Sequence, residues 1–134
     1  MKAALTRLVW LRAQARREYC QMPQAADDAG FEVDHIVARK HAGPTSPGNL
    51  CLSCFYCNSF KSSDLGGLDP ETRKLASLFH PRRHKWSKHS RWAGARLIGL
   101  TPNGRVTVAL LHINDDYRVE LRGGLIEEGI FPPS

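Results

Sequence analysis

Between Asp34 and Lys61 the chain gathers side chains able to bind a cation, move a proton and hold a phosphate: Asp34, His35, Asn49, Cys54, Cys57, Asn58 and Lys61. Phe31, Val33, Ile36 and Val37 flank the Asp34-His35 pair, which suits a short strand that delivers polar side chains to its end. Neighbours on a strand point to opposite faces, so Asp34 and His35 cannot serve one ligand in the same way. One division of labour puts Asp34 on a hard metal ion and leaves His35 free to take a proton. The run Ala42-Gly-Pro-Thr-Ser-Pro-Gly48 must be a loop. From about Ser53 the residues fit a short helix with Cys54, Asn58 and Lys61 along one side. Cys57 and Asn58 sit about 100° apart on such a helix. One can look toward a zinc knuckle and the other toward the strand end.

Together, Asp34-His35, the loop, Asn49-Leu50 and Cys54-Phe-Tyr-Cys57-Asn58-x-x-Lys61 resemble an HNH endonuclease, of the ββα-metal or His-Me finger group. The resemblance spans roughly residues 17–64. The combined pattern is far more specific than a lone Asp-His pair or a lone Cys-x-x-Cys. The tail is similar to the C-terminal extension of bacterial HNH proteins of like length, but it carries no motif with an assignable role.

The resemblance implies roles that the chemistry of phosphodiester hydrolysis can use. Asp34 would hold a divalent metal and Asn58 would add a neutral oxygen. So small a protein ligand set suits Mg²⁺ first, with Mn²⁺ or Ni²⁺ as alternatives. His35 would be the general base, since imidazole titrates near neutral pH. Asn49 would hydrogen-bond His35 and orient it. Lys61 would meet a phosphate as a point charge. Taken singly, an Asp-His pair is more often a surface turn, Asn49 a cap and Lys61 a solvated helix end. Their concentration in one segment favours the site.

Cys20, Cys51, Cys54 and Cys57 are the four cysteines. Absence of a signal peptide or an apolar membrane run leads us to expect a cytoplasmic protein with no membrane association and no disulfides. Cys54 and Cys57 form a knuckle suited to structural zinc. In the family a second Cys-x-x-Cys precedes the Asp-His strand; here it reads Arg17-Glu-Tyr-Cys20. A guanidinium stays protonated and cannot ligate zinc. Cys20, Cys54 and Cys57 remain, with water, Cys51 or a histidine as fourth ligand. Otherwise the three thiols pack as small hydrophobes, as Cys51 is expected to do.

The elements that must position these residues fit one α+β domain over residues 1–134. It would have an N-terminal helix, a ββα-metal core at about 17–64 and a mixed helical extension at about 65–134. Residues 3–17 read as an amphipathic helix, 22–30 as a turn and loop, and Glu32–His35 as the first strand, with Val37–Arg39 starting its return. Asp69-Pro70 resembles a helix start running to about Phe79. Strand spacing follows from Arg91 to Leu100. Thr101-Pro102 caps a helix carrying Val106 and Leu110, although Val106, Val108 and Leu110 also alternate as in a strand, and Asn114-Asp115 opens another helix with Leu121, Leu125 and Ile126 inward.

The formal charge of +6 favours a polyanionic partner, expected here to be DNA. Arg39 and Lys40 follow the Asp-His pair and would touch flanking phosphates. Arg82, Arg83, Lys85 and Lys88 lie in the most basic run, beside Trp86 and Trp92. Some of these cations would bind phosphate, while the tryptophans read as core anchors. The expected activity is metal-dependent DNA hydrolysis. The rivals are a nucleic-acid-binding module of the same fold without catalysis, and a zinc-ribbon adaptor that binds protein.

Overall fold

Val9, Leu50 and Leu52 are fully buried together, with Leu5, Trp10, Ala13, Phe31 and Val33 packed on them. This cluster is the reason the first half of the chain folds. Each such aliphatic side chain contributes roughly 1.5–3 kcal/mol on burial. The computed structural model describes residues 2–23 and 30–133; the loop expected at 25–29 lies outside the described residues. Contacts divide the chain into two compact units, Met1–Asp64 with His80–Arg83, and Leu65–Phe79 with His84–Ser134.

In the first unit, α1 spans Ala3–Ala13 and ends at Gln14, which adopts a left-handed conformation. It is therefore shorter than the expected 3–17. Antiparallel strands β1 (Phe31–His35) and β2 (Leu50–Cys54) pair in the register Phe31↔Cys54, Val33↔Leu52, Asp34↔Cys51 and His35↔Leu50. The return strand is thus not Val37–Arg39. A 3-10 turn at Arg39–His41 begins a long connection, because the Ala42–Gly48 loop must be crossed before the chain can pair. Alternation gives β1 two faces. Phe31 and Val33 join the cluster on α1, with Trp10 stacked on Phe31 at 5.1 Å between ring centroids. Glu32 and Asp34 share the other face. α2 (Phe55–Lys61) follows β2 directly, N-capped by Cys54, whose Sγ accepts from the Cys57 amide at 3.2 Å.

The second unit opens with a hairpin of β3 (Gly66–Leu68) and β4 (Leu75–Ser77) where a helix was expected. Asp69 does cap, but only one turn. It accepts from the Glu71 and Thr72 amides, and Arg73 at φ 65° then reverses the chain. Its carboxylate also binds Arg105 twice, at 2.8 Å each. After the short helix α3 (Trp86–His89), β5 (Ser90–Ala93) and β6 (Arg96–Gly99) form a hairpin turning at Gly94, φ 59°. Thr101 caps α4 (Pro102–Leu110) by accepting from Gly104 N at 3.1 Å, as expected.

α5 spans Asp116–Glu127 and buries Leu125, but its inward face also carries Arg118 and Arg122. Arg118 donates to Leu111 O at 2.8 Å, and Arg122 donates to Ala95 O and Ile113 O at 2.8 and 2.6 Å. These arginines satisfy carbonyls that the end of α4 and neighbouring turns leave over. Trp86 and Trp92 meet at a tilt with ring centroids 5.9 Å apart, and Phe131 meets Trp92 edge-on, which fits their reading as packing residues.

Candidate functional site

The site is built where α2 lies against the Glu32–Asp34 face of β1. One turn apart on α2, Asn58 and Lys61 point the same way. Asn58 Nδ2 donates to Glu32 Oε2. Lys61 Nζ lies 3.1 Å from Asp34 Oδ2 and donates to the His35 carbonyl at 3.1 Å. The Lys61 side chain is 1% exposed and that of Asp34 is 11% exposed. Lys61 was expected to meet a phosphate as a point charge; its ammonium is instead buried and engaged by Asp34 and the His35 carbonyl. Burial pushes the Asp34 carboxyl above its ordinary pKa, against the pull of the Lys61 ammonium.

His35 projects from the opposite face. Its Nε2 is 2.8 Å from Thr45 Oγ1. The expected Asn49–His35 hydrogen bond is absent, because the Asn49 amide is consumed elsewhere. Its Oδ1 accepts from Val37 N at 2.9 Å, and its Nδ2 donates to Val37 O at 2.9 Å and Pro44 O at 2.8 Å. Asn49 is buried and ties the loop carrying Thr45 back to the end of β1. Gly43 permits that closure, since a β-carbon there would collide with the Val37 carbonyl.

At the N-terminal end of α2, the sulfurs of buried Cys20, Cys54 and Cys57 lie within 4.8 Å of one another, with Cys20 and Cys54 at 3.9 Å. Tetrahedral zinc with bonds of ~2.3 Å separates its sulfurs by roughly 3.8 Å, so this grouping fits a zinc ion. Hydrogen bonds that the Cys57 thiol makes to Cys20 and Cys54, with burial, push its pKa well above the usual value. To serve as thiolate ligands these groups would need a cation to compensate their buried charge. Arg17 supplies no ligand; its guanidinium sits 4.3 Å over the Phe31 ring and donates to Gly30 O at 3.2 Å. Cys51 stays out of the group. It pairs with Asp34 in register, and burial raises its pKa to about 12.

The Asp34-His35 strand end, the tied loop and the short helix reproduce the ββα arrangement that the motif requires. The HNH endonuclease family model matches residues 18–64. No curated protein and no solved structure matches the chain. The HNH segment associates the chain with endonucleases that use a divalent metal. Its donor set fits one: Asp34 Oδ2 has only the Lys61 ammonium as a partner among the described residues, and desolvation leaves that carboxylate short of positive charge. Among the described residues no helix is long and apolar enough to cross a membrane.

Of the expected phosphate contacts, Arg39 and Lys40 are exposed on the turn beyond β1, and Arg83, Lys85 and Lys88 are exposed as well. Arg82 is not available in the same way. Its guanidinium pairs with Glu18, whose Oε2 also accepts from Leu52 N at 2.7 Å. Two site residues escaped the sequence reading. Glu32 was signalled by alternation, two positions from Asp34. Thr45 had no signal, because only the folded loop brings it to His35.

Proposed function

We propose that the HNH segment is a divalent-metal-dependent endonuclease site that hydrolyses phosphodiester bonds in DNA. The observation carrying this reading is the strand end itself. One residue offers a buried, charge-deficient carboxylate to α2, and the next offers an imidazole to the other side. Asp34 and Asn58 Oδ1 would hold the cation, with Mg²⁺ first and Mn²⁺ or Ni²⁺ as alternatives. When bound, the cation stabilises charge on the phosphate and the leaving oxygen. With Nε2 engaged by Thr45, Nδ1 of His35 is the nitrogen that takes the proton from the attacking water. Asn49 acts on His35 through the loop that carries Thr45. Lys61 fixes the Asp34 carboxylate and the His35 carbonyl at once, and so sets the spacing between metal and base. Zinc on Cys20, Cys54 and Cys57 would hold α2 in place. Arg39, Lys40, Arg83, Lys85 and Lys88 would contact backbone phosphates, which position the duplex without reading its sequence.

A second reading, a nucleic-acid-binding module of the same fold without catalysis, draws on one observation. The Lys61 ammonium already meets part of the charge that Asp34 presents. Plasmid nicking in Mg²⁺, Mn²⁺, Ni²⁺ and Zn²⁺ separates the two. The native protein is expected to nick in Mg²⁺, and His35→Ala to be inactive while folded. Undiminished nicking by His35→Ala removes His35 as base. DNA binding without nicking in any metal selects the second reading.

A further inference from the structure

Glu32 is the one ionisable group at the α2–β1 contact to which the HNH reading gives no task. It shares a strand face with Asp34, and Asn58 Nδ2 donates to its Oε2. An ionised carboxylate has only acceptors, whereas a carboxamide has one oxygen and one NH₂. Contact with Glu32 therefore selects one of the two ways the Asn58 amide can face. Nitrogen must point to Glu32, and Oδ1 must point away. Oδ1 takes no hydrogen bond from the described residues, and a hard cation binds the oxygen of an amide rather than its nitrogen.

We infer that Glu32 is a positioning residue that orients the Asn58 carboxamide so that its oxygen is presented to the divalent metal. This rests on the proposed metal site. The amide is set before the cation arrives, so no rotamer search is added to binding. Glu32 also keeps the local balance negative: Glu32 and Asp34 against Lys61 leave one net negative charge for the cation. A glutamine at this position would lose the selection, because its own NH₂ can donate to Asn58 Oδ1 and occupy the donor atom.

The test is Mn²⁺ affinity by calorimetry on the full chain, in a cycle of Glu32→Gln, Asn58→Ala and the double variant, with Asp34→Ala alongside. Partners that orient metal ligands are typically worth 10–100-fold in affinity. Glu32→Gln is expected to weaken Mn²⁺ about tenfold in the native background. In the Asn58→Ala background it should weaken Mn²⁺ by no more than roughly threefold, the residue of lost charge. In the metal-free protein, the Asn58 side-chain NH₂ resonances should show one hydrogen-bonded proton that Glu32→Gln shifts upfield. Equal weakening in both backgrounds, or none in either, overturns the assignment. If Asn58→Ala and Asp34→Ala both bind Mn²⁺ as the native protein does, the metal site itself is misplaced and this role falls with it.

Discussion

Lys61→Met removes the ammonium and keeps most of the side-chain volume, so it isolates the charge of a buried lysine. The pair it breaks is 3.1 Å long with side chains 1% and 11% exposed. Removing one partner of such a pair typically costs 3–5 kcal/mol, chiefly because the other charge stays buried. Asp34 keeps a little solvent and can take up a proton, which places the cost near the lower end, about 3 kcal/mol. The His35 carbonyl also loses its donor, a term already contained in that figure. Hydrogen exchange at the buried β2 amides is the right assay, because it reports opening of the first unit regardless of the second. In Lys61→Met/Asp34→Asn no charge is stranded, and the cost should fall to about 1–2 kcal/mol, that of a poorly matched neutral group. Saturating Mg²⁺ should return stability to Lys61→Met by linkage, about 2.7 kcal/mol at a hundred times Kd. At one fixed Mg²⁺ concentration the gain should exceed that of the native protein, whose lysine opposes the cation and weakens its binding. A loss under about 1 kcal/mol without metal, or equal gains with Mg²⁺ in both proteins, would refute the view of Lys61 as an internal counter-charge.

Elemental analysis of the native protein should give less than one zinc per chain, and Arg17→Cys should raise it toward one; a full equivalent in the native protein would mean that another group completes the three-thiol site. Hydrogen bonds from Arg105 pull the Asp69 carboxyl well below its usual pKa, so its contribution is fully present above the unfolded value of 3.8 and is lost as pH falls below it. Thermal melts of Asp69→Asn between pH 5 and pH 2.5 should therefore lose less stability on acidification than those of the native protein, and parallel curves would contradict this. Reversing Arg83, Lys85 and Lys88 to Glu should weaken DNA binding and flatten its dependence on salt, as read by fluorescence anisotropy. Arg82→Glu should instead destabilise the first unit by confronting Glu18 with a like charge, visible as faster exchange of the Leu52 amide.

Local periodicity made the Asp34-His35 strand end legible. A period of two separates Asp34 from His35, and a helical turn puts Asn58 and Lys61 on one side of α2. Thr101-Pro102 was equally plain, because a cap followed by a first-turn proline is local chemistry. Contacts that cross the chain were not legible. Asn49 was assigned to His35 by role, yet three backbone groups of Val37 and Pro44 take its amide. Asp69-Pro70 misled because the same dipeptide opens a helix or closes a hairpin turn, and what decides is the pairing of Gly66–Leu68 with Leu75–Ser77, which periodicity does not encode. Arg118 and Arg122 were read past by residue type. They are buried because carbonyls they satisfy lie beneath them.

The three-thiol cluster and the acidic site are joined by seven residues of helix. Cys54 is at once a member of the cluster and the N-cap of α2, so the position of its sulfur fixes the first turn. Asn58 lies one turn further on and Lys61 two, where they meet Glu32 and Asp34. A shift of Cys54 is therefore transmitted to the Asn58 amide without a flexible segment between them. The acids in turn hold the distal end of α2, where the buried ammonium would be costly without Asp34. A helix of seven residues has little stability of its own; it persists because both ends are tied. It follows that loss of the thiol cluster should register first at Asn58 and Lys61. Cys54→Ser should weaken Mn²⁺ binding although Cys54 touches no divalent-metal ligand, and Cys51→Ser, on the Asp34 face but outside the cluster, should leave zinc content unchanged.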